Sequence, residues 1–84
     1  MTTLQNFAAY VRAQATESGY RINRQRGKRA LARAAGMSYD DLTATLAGTY
    51  CPWPLEMERL ADALGISLMA LLLDSGYVRP RATP

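Results

Sequence analysis

Six cations crowd into one stretch of this 84-residue chain: Arg21, Arg24, Arg26, Lys28, Arg29 and Arg33 lie between Ser18 and Tyr39, with no acid among them. From Asp40 to Asp74 the balance reverses, with six acids (Asp40, Asp41, Glu56, Glu58, Asp62 and Asp74) against one base, Arg59. A net charge of only +3 hides this division. A basic segment beside an acidic one implies an anionic partner that meets one region only. Guanidinium and ammonium groups neutralise phosphates, and on a nucleic acid that releases condensed counterions. A charge run is also the ordinary composition of a solvated face, so the arginines alone do not name the partner. Arg21, Arg24 and Arg26 suit either the phosphate backbone or a minor groove.

Other chemistries lack their residues. Cys51 is the single cysteine, and histidine is absent. An internal disulfide, a zinc ligand set and a Ser-His or Cys-His nucleophile pair are therefore excluded. No catalytic grouping is visible, so a non-enzymatic chain without metal, cofactor or small-molecule ligand is expected. The longest apolar run, 66–73, is interrupted by Ser67. It falls far short of the roughly 20 residues that cross a bilayer. No signal-peptide pattern opens the chain, so a cytoplasmic location without a membrane partner is expected.

Forty-nine per cent of the residues are apolar, enough for one small domain with its own core. The pattern is helical throughout. Leu4, Phe7, Ala8, Val11 and Ala15 recur at three-and-four spacing and predict a helix over 3–17, with Thr2 or Thr3 as cap. The stretch 18–27 reads as a polar, basic connector anchored by Tyr20 or Ile22. A second helix is expected over 28–35, capped by Gly27 and stopped by Gly36, with Leu31, Ala34 and Ala35 inward. Ser38 followed by Asp41 has the form of a capping box and starts a third helix with Leu42 and Leu46 as its apolar stripe. Pro54 suits the first turn of a fourth helix over 54–64, ended by Gly65. Ser67 then caps a fifth over 67–74. No internal repeat is apparent. Trp53 reads as a lid on the core between the third and fourth helices. Tyr77 and Val78 read either as a short strand pairing with a second copy or as part of a tail over 77–84.

Ala32, Gly36 and Leu42 form the positioning constellation. A small residue lets two helices cross closely, a glycine takes the turn, and an apolar anchor holds the second helix to the core. The same three residues also describe an ordinary helical hairpin. The stretch that contains them, LARAAGMSYDDLTATLAG (31–48), and the next one, CPWPLEMERLADALGIS (51–67), together resemble the phage-repressor-like helix-turn-helix family. The resemblance covers about 28–73 and implies an all-α, compact five-helix domain over 1–76, with its helix-turn-helix at 28–47. It implies sequence-specific binding of double-stranded DNA, usually as a two-fold homodimer. Carried over by position, the base-reading residues are Ser38, Tyr39, Asp40, Thr43, Ala44 and Ala47, and the phosphate contacts are Lys28, Arg29, Thr49 and Tyr50. Charge and location add Arg21, Arg24, Arg26 and Arg33 to the phosphate set.

Three features depart from the family pattern. Thr45 stands where an apolar residue is usual, so Leu46 is expected to take over its packing. Asp40 and Asp41 occupy a tip that normally carries neutral or basic polar residues. The connector before the second helix is longer and more basic. Asp41 reads first as a cap partner. Asp40 fits a cytosine amino group or the helix N-terminus. Tyr39 fits a thymine methyl, a phosphate or simple packing. Dimer contacts are expected from the fifth helix, the tail or the 49–54 loop. Occupancy of an operator would be the regulatory mechanism. The rival expectation is a protein-binding module of the same fold, such as an antirepressor, and the acidic tip is the reason to hold it.

Overall fold

A computed structural model describes residues 3–77 of the chain. Five α-helices follow one another: α1 (Thr3–Glu17), α2 (Gln25–Ala35), α3 (Tyr39–Ala47), α4 (Pro54–Leu64) and α5 (Leu68–Asp74). No strand occurs among the described residues. None of these helices is long and apolar enough to cross a membrane. Every helix gives the centre at least one large side chain that is fully withdrawn from solvent: Phe7 and Val11, then Leu31, Leu42, Leu60 and Leu71. α2 is the hub, packing against both α3 and α4, while α1 closes over α3 and α5 over α4.

Two turns carry the architecture, and they are built alike. Gly36, Met37 and Ser38 join α2 to α3; Gly65, Ile66 and Ser67 join α4 to α5. Both glycines are left-handed, at φ 64° and φ 72°, which only glycine adopts without strain. The next amide closes the helix end in each case, Met37 N–H to the Ala32 carbonyl and Ile66 N–H to the Ala61 carbonyl. Ser38 Oγ accepts from the Asp41 amide at 3.0 Å, and Ser67 Oγ accepts from the Ala70 amide at 3.0 Å. Each serine thus satisfies a donor that the first turn of a helix leaves open. Leu42 and Leu71 then anchor their helices in the core. The two units stand 29 residues apart in sequence, with Leu-Ala, Gly, Ser and Leu at matching positions. The expectation of no internal repeat is corrected by this match.

α2 starts earlier than the sequence suggests. Arg24, not Gly27, is its N-cap, and Arg24 makes no side-chain capping bond. Gly27 lies inside the helix for a different reason. A Cβ at Gly27 would sit 1.9 Å from the Arg21 carbonyl oxygen, so only glycine lets the connector fold down on the first turn. Tyr20 and Ile22 both pack against the core from this connector. Within α2, Leu31, Ala32 and Ala35 are buried and Ala34 is exposed, which corrects the inward placement of Ala34. The helical period sets Ala32 and Ala34 equally to either side of Leu31 and Ala35, and the packing of α2 against α3 and α4 covers the Ala32 side.

The expected Trp53 lid is also corrected. Trp53 is 70% exposed, while its neighbour Pro52 is buried. Trp53 instead serves through its backbone as the α4 N-cap, and its N–H donates to Glu56 Oε1 at 2.9 Å. Tyr77 is in a bend rather than a strand, and its ring packs on Phe7 with centroids 5.3 Å apart. Val78, Thr2 and the rest of the 77–84 tail beyond Tyr77 lie outside the described residues.

Candidate functional site

α2 buries one face against α3 and α4 and leaves the other to solvent. Arg26, Arg29 and Arg33 fall on that exposed face at the three-and-four spacing of successive turns, with exposed Ala30 between them. Together they border a groove of about 430 Å³. Arg21 and Arg24 extend the basic surface from the connector. With Arg26 and Gly27 they line a hollow of about 680 Å³. Lys28 is half-buried and lies off this stripe. Among the described residues, none of the six cations is paired with a carboxylate, and Arg29 alone has a side-chain partner, the ring of Tyr39.

Positive charge accumulates at the start of α2. Its first turn carries no acid, and Arg24 supplies no cap. The unbonded amides there already form the positive end of the helix, so nearby Arg24, Arg26 and Lys28 repel it and one another. A bound phosphate would relieve both repulsions.

α3 lies directly beside this surface. Ser38, Asp40 and Ala47 are exposed, and Tyr39, Thr43 and Ala44 are half-buried. The six residues carried over as base readers therefore all border the outer side of α3 to some degree, but few present a hydrogen-bonding atom. Ser38 Oγ accepts from the Asp41 amide, which leaves its O–H, like that of Tyr39, able to donate. Thr43 Oγ1 is shut off from solvent and meets no hydrogen-bond partner. Asp40 offers acceptors only. The face is thus poor in donors.

Below this face, α3 is held firmly. Thr45 is buried beside Leu46, and its hydroxyl donates to the Asp41 carbonyl at 2.8 Å. That internal bond is why a threonine fits in an apolar position, so Leu46 supplements Thr45 rather than replacing it. From α1, the Arg12 guanidinium donates to the Leu46 carbonyl.

Two expected phosphate contacts have other partners. Thr49 Oγ1 donates to the Ala44 carbonyl at 3.3 Å. The Tyr50 hydroxyl donates to Glu56 Oε1 at 2.8 Å. This bond to the carboxylate, then burial and the nearby negative charges, hold the Tyr50 proton so that its pKa is pushed up to about 12. With Glu56 at its hydroxyl, Tyr50 is an unfavourable phosphate ligand.

The contact that sequence reasoning missed spans the turn. The Arg29 guanidinium carbon lies 5.6 Å from the centroid of the Tyr39 ring, linking the basic stripe of α2 to the first turn of α3. The sequence held no signal for it, because the pair depends on how α2 and α3 lie across the turn. No family model, no curated protein and no solved structure matches the chain. The chain is a small all-helical domain of five helices, with a donor-poor α3 surface beside an unpaired basic stripe on α2.

Proposed function

We propose that this chain is a sequence-specific binder of double-stranded DNA, with α2, the Gly36 turn and α3 acting as a helix-turn-helix. Its biological role would be that of a small regulator acting by operator occupancy, in the manner of the phage-repressor-like proteins that its sequence resembles. The observation that carries this reading is the exposed, unpaired stripe of Arg26, Arg29 and Arg33 beside α3. In such a unit the second helix enters the major groove and the first crosses the phosphate backbone. α3 would then read bases through Ser38, Tyr39, Asp40, Ala44 and Ala47. Arg21, Arg24, Arg26, Lys28 and Arg33 would neutralise phosphates. Two copies related by a two-fold axis would place their α3 helices about 34 Å apart, one turn of DNA. Exposed Trp53, Leu55 and Met69 are the apolar side chains available for pairing.

Fluorescence anisotropy with random duplex DNA across a salt series tests this directly. Binding should weaken steeply with salt, with a log–log slope of about −4.5 if these five cations all meet phosphates. No binding at low salt sinks the proposal. That outcome would favour the second reading, a protein-binding module. The acidic tip of α3, where Asp40 is exposed, is the observation behind it, since a carboxylate there repels phosphate.

A further inference from the structure

We infer that Arg29 reads a base rather than a phosphate, that Tyr39 positions it, and that the α3 tip therefore demands a guanine at one place in its DNA site. The inference rests on the DNA-binding reading above and names what that surface recognises.

The geometry starts from the pair itself. A guanidinium within about 6 Å of an aromatic centroid is attracted to the ring face. Arg29 meets that condition at 5.6 Å. Tyr39 is half-buried and Arg29 is exposed, so the ring is the fixed partner and the guanidinium is the one it holds. A guanidinium placed over a ring keeps its N–H edge free for a planar, two-pronged contact. Among the described residues nothing else engages the Arg29 side chain.

The surroundings decide between base and phosphate. Asp40 follows Tyr39 and is exposed at the same tip, where its carboxylate disfavours a phosphate. A guanine edge is uncharged and offers two acceptors, O6 and N7, matched to the arginine fork. α3 itself supplies few donors for such an edge. Thr43 Oγ1 is buried, Ala44 and Ala47 have no polar side-chain atoms, and Asp40 only accepts. Beyond the single hydroxyls of Ser38 and Tyr39 the face has no donor to spare, so Arg29 supplies the two-pronged donor that α3 lacks. The second turn unit gives an internal contrast. Its matching residues, Glu58 and Leu68, have neither the cation nor the ring.

The test begins with wild-type protein and sequences selected from a random duplex pool. Each guanine of the selected site is then replaced in turn by 7-deazaguanine, which keeps O6 and removes N7. One replacement should lower affinity on the order of tenfold. Arg29→Ala, which removes the donor, should abolish the sensitivity to that replacement. Tyr39→Leu should lower discrimination of guanine over adenine there by about two- to fivefold, while Tyr39→Phe, which keeps the ring, retains it. Indifference to 7-deazaguanine at every position overturns the inference, as does wild-type discrimination in Tyr39→Leu. Both outcomes leave DNA binding standing. Failure of the wild-type chain to bind or select any duplex at low salt overturns the DNA-binding reading itself, and this inference falls with it.

Discussion

The α2–α3 and α4–α5 units share a scaffold and differ in what they show to solvent. Leu31, Ala32, Gly36, Ser38 and Leu42 recur as Leu60, Ala61, Gly65, Ser67 and Leu71. The recurring leucines and alanines are buried, the glycines are left-handed, and each serine caps the next helix. Outside, Arg26, Arg29 and Arg33 are replaced by Leu55, Glu58 and Asp62, and Asp40 is replaced by Met69. The first helix of one unit exposes a basic face and that of the other an acidic one. A helix, a turn and a helix therefore do not mark a reading site by themselves. Charge on the exposed face separates the two, and that face is free to vary because packing constrains only the shared positions.

The largest expected effects test whether the scaffolds are equivalent. Leu42→Ala and Leu71→Ala each remove a fully buried side chain that anchors the second helix of a unit. Each should destabilise the fold by about 2–5 kcal/mol, as read by urea or thermal unfolding. A loss below about 1 kcal/mol for Leu71→Ala would break the comparison, because α5 would then be an appendage rather than a structural counterpart of α3.

Charge reversal sharpens the difference between the units. The double variant Arg29→Glu/Arg33→Glu should weaken binding to duplex DNA on the order of a hundredfold at low salt and flatten the salt slope by about one, the share of Arg33. The matching change on the other unit, Glu58→Lys/Asp62→Lys, should strengthen non-specific binding without altering sequence preference. All four side chains are exposed, so circular dichroism should show both variants folded. Equal losses from the two double variants would mean that the α2 stripe has no special place in binding.

How much of the molecule was legible in the sequence depends on how local each cause is. The starts of α3, α4 and α5 were readable because Ser38, Pro54 and Ser67 act on their own first turns, and the ends of α2, α3 and α4 because Gly36, Gly48 and Gly65 end helices through their own backbone. The start of α2 was not readable. Arg24 has no capping side chain to announce it, and Gly27 imitates a cap. The true reason for Gly27 is the Arg21 carbonyl packed over it, which is a tertiary contact. Trp53 misled for a similar reason, since size and apolarity favour burial while its role as N-cap points it outward. At the candidate site, the basic stripe could be counted from letters alone. The buried Thr43 hydroxyl and the Arg29–Tyr39 pair could not, because both depend on how α2 and α3 lie across the turn.

A smaller effect separates the turns themselves. Gly36→Ala and Gly65→Ala both force a side chain into the left-handed region, at about 1 kcal/mol each. An added Cβ at Gly65 meets nothing within 4 Å. At Gly36 it would meet Arg59 Nη1 at 3.0 Å and Arg59 Cδ at 3.2 Å. Arg59 is a flexible side chain, so it can move, and Gly36→Ala should be only slightly the worse of the two in urea unfolding. A much larger loss at Gly36 would show that Arg59 is held over the end of α2, tying the two units together.

The smallest expected effect concerns the loop between the units. Tyr50 donates to Glu56, and Glu56 also accepts from the Trp53 amide that opens α4. In the folded chain Tyr50 keeps its proton to about 12, against an ordinary value of 10.0 in the unfolded chain. From the lower value upward the unfolded state sheds this proton more readily and so gains on the folded one. The stabilisation from the Tyr50 bond is therefore complete below pH 10 and declines as pH rises toward 12. Tyr10 and Tyr77 also have raised pKa values, Tyr10 first by burial and Tyr77 first by its hydrogen bond with Cys51, so the whole protein should lose stability over alkaline pH. The difference between wild type and Tyr50→Phe isolates the loop. Phe removes both the bond and its titration, so the variant should be less stable at neutral pH, with the gap closing between pH 10 and 12. A gap that stays constant across that window would mean that the Tyr50 hydroxyl is not held by Glu56, and it would again be available to a phosphate.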